Sequence, residues 1–410
     1  MPKGDPIVGL DIGTSKVCAV IGEEGEDGQI EIVGVGSTAS TGLRKGVVVN
    51  IDATVRAIET AVAEAELMAG VDISSCYVGI GGSHIKGLNS HGVIAISRSR
   101  EVAQTDVNRV LDAAKAVAIP LDREVIHILP QQYIIDGQDG INDPVGMSGV
   151  RLEVETHIVT GAVTSVQNVV KSVNRAGLSI EDVILIPLAS SAAILSEDEK
   201  ELGVVLVDVG GGTTSVAVFV EGSIWHTEIL SIGGFNVTKD ISVGLRTPIT
   251  EAEKLKIEYG CALSSMVSSG EEVEVMSVGG RKKHFIPREI LAKIIEARLE
   301  EIFNLVNREI KAVGYENSIT TGIVLTGGEA MLEGIPELAE RIFDCPVRIG
   351  TPKNIGGLVD IVSKPVYTTA VGLVSYGMKS RLVTRGFKAV GENVFKSLSA
   401  KARNWFSEFF

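Results

Sequence analysis

Aromatic residues make up only 4% of these 410 residues, so any core must be built from aliphatic side chains, which at 45% hydrophobic content can fill more than one. Cysteine occurs four times (Cys18, Cys76, Cys261, Cys345), always singly. That excludes a CxxC redox or metal motif and reads as small buried hydrophobes in a reducing compartment. The six histidines show no HxxxH or HxxH spacing, so no transition-metal centre is expected. No run reaches the roughly 18 apolar residues needed to span a bilayer. Met1-Pro-Lys-Gly-Asp5 lacks the basic-then-apolar profile of a signal peptide. A net charge of -14 argues against a protein that coats nucleic acid. A GxxxxGK[ST] loop and a GxSxG elbow are both missing. Gly34-Val-Gly-Ser-Thr-Ala39 imitates a dinucleotide fingerprint, but no helical period follows, so it reads as a strand end.

What is present is an alternation of Val/Ile runs, four to six residues long, with helical patterns, the texture of an α/β fold with buried strands. Strands are expected from Ile7 to Val35, followed by a helix from Asp52 to Gly70 and a strand at Tyr77 to Ile80. From His84 to Thr160 the texture changes to a βαβ-like insertion. Its helix is capped at Thr105, and its Asp/Gly/Pro-rich loop runs from Asp136 to Gly149. Helices follow from Thr164 and Pro187. A second half opens at Gly203, with a capping box at Thr250-Glu-Ala-Glu253, an exposed basic turn from Ser277 to Lys283, and the longest helix from Pro287 to Gly314.

Two segments nearly two hundred residues apart carry the chemistry: Asp11-Ile-Gly-Thr-Ser-Lys16 and Asp208-Val-Gly-Gly-Gly-Thr-Thr214. Each lies between two apolar runs, so each reads as a strand–turn–strand hairpin. Its tip offers backbone N–H groups and hydroxyls to phosphate oxygens. The Asp heading each turn can reach a divalent cation, directly or through water. A third turn, Thr326-Gly-Gly-Glu329, follows the strand Ile323 to Leu325. Together the three turns point to a nucleoside triphosphate held between paired lobes.

The tail is a second signal. From Lys379 to the C-terminus, seven basic residues face two acids, so the tail is +5 and the rest -19. If Asn393 caps a helix, 100° steps place Val394, Phe395, Leu398, Ala402, Trp405, Phe406, Phe409 and Phe410 on one arc of about 160°. Lys401 lies on one flank, Lys396 and Arg403 on the other. That is the profile of a membrane-surface helix. One such helix binds bilayers weakly, on the order of 10⁴ M⁻¹. Joining many in a polymer raises avidity about 10²-fold or more, so assembly and attachment are expected to be coupled.

The three turns resemble those of the actin, Hsp70 and sugar-kinase superfamily. Along nearly its whole length the chain resembles the FtsA family of actin-like bacterial cell-division proteins. The matching segments are Val8-Gly-Leu-Asp-Ile-Gly-Thr14, Asn142-Asp-Pro-Val-Gly-Met-Ser-Gly-Val-Arg151, Leu206-Val-Asp-Val-Gly-Gly-Gly-Thr213, Gly260-Cys-Ala-Leu263, Ser277-Val-Gly-Gly-Arg281, Gly322-Ile-Val-Leu-Thr-Gly-Gly328, Val371-Gly-Leu373 and the amphipathic terminus.

The resemblance implies an actin-like (ribonuclease H-like) two-lobed ATPase fold with an inserted 1C subdomain. Subdomain 1A would take residues 1–83 with 161–195 and about 350–380, and 1C would take 84–160. Subdomain 2A would take 196–229 with 305–349, and 2B 230–304. A linker (381–392) and the membrane helix (393–410) would follow. It implies ATP on Gly13, Thr14, Ser15, Lys16, Gly210, Gly211, Gly212, Thr213, Thr214, Gly233, Gly234, Glu253, Lys256, Gly327 and Gly328, with Mg²⁺ on Asp11 and Asp208. The C-terminal tail of FtsZ would dock near Arg281, Lys282, Lys283, Arg288 and Lys293, and the membrane would meet Phe395, Leu398, Lys401, Trp405, Phe406 and Phe409. Implied partners are FtsZ, further copies of the chain, membrane lipids and later division proteins, at the cytoplasmic face of the cell membrane. No residue stands out as a catalytic base, so hydrolysis would be slow at most. A pilus-platform relative or a small-molecule kinase of the superfamily would share the hairpins. The kinase has no use for a terminal membrane helix.

Overall fold

The computed structural model describes residues 6–25, 28–96, 101–277, 283–315 and 318–388, with side chains through Arg381. The chain opens with β1 (Ile7–Ile12), β2 (Lys16–Glu24) and β3 (Ile30–Ala39), an antiparallel meander whose first turn is the Asp11 hairpin. A small pair, β4 (Leu43–Arg44) and β5 (Val47–Val48), leads into α1 (Ile51–Ala69). Asn50, not Asp52, caps that helix: its Oδ1 accepts from the Ala53 N–H at 3.0 Å. Gly70, at φ 69°, ends it. β6 (Ser75–Ile80) then runs parallel to β1.

The insertion comprises β7 (Lys86–Ala95), α2 (Gln104–Lys115), β8 (Arg123–Ile135), β9 (Gln138–Ile141) and β10 (Arg151–Ala162). Its sheet order is β7-β10-β8-β9, with β10 antiparallel to both neighbours, so α2 spans a split crossover. α2 starts one residue before Thr105, because the Asp106 carboxylate reaches back to the Ala103 N–H at 3.1 Å. The chain returns through α3 (Val163–Arg175), β11 (Ser179–Leu185), α4 (Ile186–Ile194) and α5 (Glu197–Leu202).

The second half repeats the opening theme with β12 (Val204–Val209), β13 (Thr214–Val220) and β14 (Ser223–Leu230), again an antiparallel meander. α6 (Gly234–Leu245), α7 (Ile249–Tyr259), the hairpin β15 (Glu272–Val275) and β16 (His284–Pro287), and α8 (Arg288–Ala312) follow. The expected capping box at Thr250–Glu253 does not form. Pro248 fixes the backbone for a helix starting at Ile249, which leaves Glu253 free to pair elsewhere. On α8 Leu291, Ile295, Leu299, Ile302, Phe303, Val306 and Ile310 form a buried apolar stripe, while Ile290 is 44% exposed.

β17 (Ile323–Thr326), α9 (Ile335–Phe343), β18 (Val347–Ile349), β19 (Ile355–Gly357), α10 (Val359–Val362) and α11 (Thr368–Lys388) complete the chain. α11 continues through Lys388, so the first eight positions read as linker are helical. Residues 389–410, including Phe395, Leu398, Lys401, Trp405, Phe406 and Phe409, lie outside the described residues.

Two sheets result, β11-β6-β1-β2-β3-β19 and β14-β13-β12-β17-β18. One core cluster joins them, including Ile184, Ala189, Leu206, Ala217, Phe219, Val371 and Val374. α11 and α4 cross within it. A Cβ on Gly372 would lie 1.9 Å from the Ala189 carbonyl oxygen, and one on Gly9 2.2 Å from that of Ala370, so both glycines let backbones touch. Among the described residues no helix is long and apolar enough to cross a membrane.

Candidate functional site

Antiparallel pairing brings each hairpin to a tip at the junction of the two halves, and there the tips abut. A Cβ on Gly211 would stand 1.8 Å from Ser15 Oγ, and one on Gly212 2.6 Å from Thr14 Oγ1. The second tip is bare because the hydroxyls of the first occupy that space. Within the tips, Gly13 N–H donates to the Lys16 carbonyl and Gly210 N–H to that of Thr213. The start of α6 clamps the second tip, with Gly234 N–H donating to Gly210 O (2.9 Å) and Phe235 N–H to Gly211 O (2.7 Å). Gly233 is as constrained as Gly211, since a Cβ there would meet Gly210 O at 2.4 Å.

The two aspartates lie beneath the tips. Burial pushes the Asp208 carboxyl up to about 6, with the like charge of Asp11 adding to it. Burial also raises Asp11, against the pull of the Lys16 ammonium. Asp208 Oδ2 accepts from Ser190 Oγ on α4 (3.2 Å) and Thr369 Oγ1 on α11 (3.5 Å), the helix that packs on α4 and the first sheet. Beside them, Thr326 donates to Thr368 at 2.8 Å. Lys16 donates to the Val366 carbonyl at 2.5 Å and sits 4.2 Å from the Tyr367 ring centre, so its head points to the loop before α11. Thr14 accepts from Gly46 N–H at 2.9 Å, while Thr214 spends its proton on the Ile232 carbonyl.

A second polar group lies at the start of α6. Lys256 Nζ, buried, donates to Glu329 Oε1 at 2.5 Å and pairs with Glu253 Oε1 at 3.2 Å. Thr238 donates to the other oxygen of Glu253. Gly327, at φ 89°, lets the third turn approach Asp208: a Cβ there would be 2.5 Å from Asp208 Oδ1. The hairpin tips, Asp11, Asp208, Gly233, Gly234, Lys256, Gly327 and Gly328 thus form one neighbourhood.

Sequence reading assigned no role to Ser190, Thr369 or Glu329. Ser190 and Thr369 carry no local signal, since only the crossing of α4 and α11 delivers them to Asp208. Glu329 was visible at the end of its turn, but its partner Lys256 lies 73 residues away.

The basic turn behaves differently. Arg281 and Lys282 lie outside the described residues. Lys283 pairs with Glu274 (3.0 Å) and Lys293 with Glu289 (2.5 Å). Arg288 is clasped by Glu271 (2.8 Å), Glu333 (2.6 Å) and the Tyr259 carbonyl (2.9 Å). A cavity of about 390 Å³ opens nearby, lined by Gly244, Leu245, Arg246, Ser277, His284, Ile286 and Ile290.

A family model described as "Cell division protein FtsA" matches residues 205–372, and one described as "SHS2 domain inserted in FTSA" matches residues 82–160. Cell division protein FtsA of Pseudomonas aeruginosa is 54% identical over 379 residues, 92% of this chain and 91% of that protein. The Escherichia coli K12 protein is 45% identical over 383 residues (92% and 91%), and that of Bacillus subtilis 41% over 398 (96% and 89%). Among solved structures, the PilM–PilN type IV pilus biogenesis complex aligns with a TM-score of 0.66 at 16% identity, covering 91% of this chain and 98% of that one. MreB 5 of Spiroplasma citri bound to AMPPNP aligns with a TM-score of 0.54 at 15% identity, covering 95% and 99%. The latter two establish an actin-like fold, and the former three establish that the chain belongs to the family of cell division protein FtsA.

Proposed function

We propose that the chain binds ATP·Mg²⁺ between its two halves, polymerises on the cytoplasmic face of the cell membrane, holds FtsZ there by its C-terminal tail and recruits later division proteins. The observation that carries this reading is the meeting of two glycine- and hydroxyl-rich tips over two carboxylates, Asp208 buried and Asp11 half-buried. Two like charges held together with only the Lys16 ammonium to offset them are costly. A divalent cation would remove that cost, and the tips' N–H groups and hydroxyls suit phosphate oxygens. Among the described residues no cluster of three or more His, Cys, Asp or Glu is placed to hold a metal. A cation here would therefore draw on Asp11 and Asp208, with phosphates and water filling its remaining positions. Bound Mg²⁺ would supply charge neutralisation. Asp208 is held for that role by Ser190 and Thr369, and Lys256 with Glu253 would meet the nucleoside. Hydrolysis, if present, is slow.

Calorimetry tests the site. Asp208→Ala is expected to weaken ATP·Mg²⁺ binding by about 100-fold or more, the scale of losing contacts to a charged group. Unchanged affinity would remove Asp208 from it.

For the FtsZ tail we place the dock in residues 230–304, around the cavity between α6 and β16. Its lining includes Arg246, Ser277 and His284, and the neighbouring apolar Phe285 is 64% exposed. Because Arg288, Lys283 and Lys293 each have acidic partners, Arg281 and Lys282 are the variants to reverse in charge. Weaker binding of an FtsZ tail peptide is expected, and no change would move the dock elsewhere. Membrane attachment is assigned to residues 393–410. Full-length chain, but not one ending at Gly391, should sediment with anionic liposomes, more so with ATP·Mg²⁺. Equal behaviour of the two would make the tail a structural helix.

A further inference from the structure

Glu329 carries an atom that the folded chain does not satisfy. The residue is 5% exposed, and its Oε1 is fixed by Lys256, but Oε2 is buried without a hydrogen-bond partner. Lys256 cannot serve both oxygens. Its ammonium has three N–H donors, and three acceptors already surround it: Glu329 Oε1, Glu253 Oε1 at 3.2 Å and the Gly234 carbonyl at 3.4 Å. Nor can the carboxylate turn aside, because it fills the space over Gly234, where a Cβ would fall 1.7 Å from Oε1. On the other side of the turn there is room, since a Cβ on Gly328 would meet nothing within 4 Å. A buried acceptor left unmatched is costly, and a donor that the chain does not itself supply would remove that cost.

Resting on the nucleotide reading above, we propose that Glu329 is a specificity-determining residue whose free oxygen accepts a hydrogen bond from the nucleoside half of the bound nucleotide. The donor would be either a ribose hydroxyl or the exocyclic amine of the base. A nucleoside lacking it would leave the oxygen unpaired and be rejected.

The test is calorimetric, on the full chain with Mg²⁺, using ATP, 2′-deoxy-ATP, 3′-deoxy-ATP and purine riboside triphosphate, which lacks the amine. Wild type should bind one of the three analogues about tenfold or more weaker than ATP, which identifies the donor. Glu329→Gln keeps the size and the acceptor facing Lys256 but puts an N–H₂ where the free oxygen was. It should lose a similar factor against ATP and lose nothing further against the rejected analogue. A variant that binds ATP like wild type, with its melting temperature unchanged, would overturn the assignment. Wild type that binds all four nucleotides alike would overturn it too, even if the variant fails to fold. Wild type that binds none of them would instead overturn the nucleotide reading on which the assignment rests.

Discussion

Two buried polar seams join the halves of this molecule, and they are built on opposite terms. At the cleft, acids dominate: Asp11 and Asp208 face each other, and Glu329 keeps an oxygen unpaired. At the insertion, neutral groups do the joining, across β7, β8 and β10 on one side and β14 on the other. Asn89 Nδ2 donates to the Trp225 carbonyl at 3.3 Å, which leaves its Oδ1 to accept from His157 Nδ1–H at 2.6 Å. His157 Nε2 then accepts from the Thr227 hydroxyl at 2.8 Å. Burial favours the neutral ring, and Asn89 Oδ1 then selects the Nδ1–H tautomer. Gln131 adds bonds to the carbonyls of Ile224 (3.2 Å) and Trp225 (3.3 Å), and Gly87 leaves room for the imidazole. One seam is incomplete in the way a ligand site is incomplete. The other is closed mainly by the chain's own groups, with His226 Nε2 its one buried nitrogen left unpaired among the described residues, so it suits a permanent joint.

The sharpest way to break this contrast is His157→Ala. It opens a cavity and strands Asn89 Oδ1 and the Thr227 hydroxyl, so a loss of about 3 kcal/mol is expected. Denaturant unfolding should show the same loss with and without ATP·Mg²⁺. If nucleotide restores the variant more than it stabilises wild type, the seams are not independent.

Acid tests the contrast next, because the two seams respond with opposite sign. Burial lowers His157 and His127 from 6.5 to about 4. Between those values the unfolded chain binds more protons, so stability is full above pH 6.5 and is lost as pH falls toward 4. Asp208 is raised from 3.8 to about 6, so between those values the folded chain binds more protons, and stability grows as pH falls. Burial lowers His84 and His226 as well, and raises Asp11 and Glu329 as it raises Asp208. The four histidines are expected to outweigh the three carboxyls, giving a net loss of stability from pH 7 to pH 5 without nucleotide. With ATP·Mg²⁺ the loss should be larger, since protonating Asp208 then also costs ligand. A stability that rises over this interval would mean that the cleft, not the insertion, sets the acid response.

Asp208→Asn sharpens the same point in the other direction. It removes a buried charge beside Asp11 while keeping an oxygen for Ser190 and Thr369. The ligand-free chain should gain on the order of 1 kcal/mol at pH 7 and lose its ATP·Mg²⁺-dependent stabilisation. Destabilisation instead would show that the ionised carboxylate is already well solvated.

How much of this could be read in the chain depended on distance along it. Both glycine-rich hairpins were legible because strand, turn and strand are contiguous, and their apolar runs leave little choice of register. The α8 stripe and the Gly70 stop were legible for the same local reason. Errors arose where two local signals competed, as when Thr250 and Glu253 satisfied a capping pattern that Pro248 pre-empted. Glu272-Val-Glu-Val275 alternates with period two and could have marked β15. The Ser190–Asp208 contact, the pairing of Lys256 with Glu329 and the insertion seam were illegible. Each joins elements whose adjacency follows from the crossing of α4 and α11 or the docking of β14, not from spacing.

The smallest effect belongs to an ion pair of the insertion seam that water can reach. Lys86 Nζ lies 3.1 Å from Glu228 Oε1, with the lysine side chain 55% exposed. Solvent screens such a pair, and ordering its long side chain offsets part of the gain, so Lys86→Ala should cost about 0.5 kcal/mol or less and less still in high salt. His157, a few ångströms deeper on the same strand pair, is expected to cost several times more and to ignore salt. Comparable costs for the two substitutions would mean that the seam is held by surface charge, and that its likeness to a sealed protein core is false.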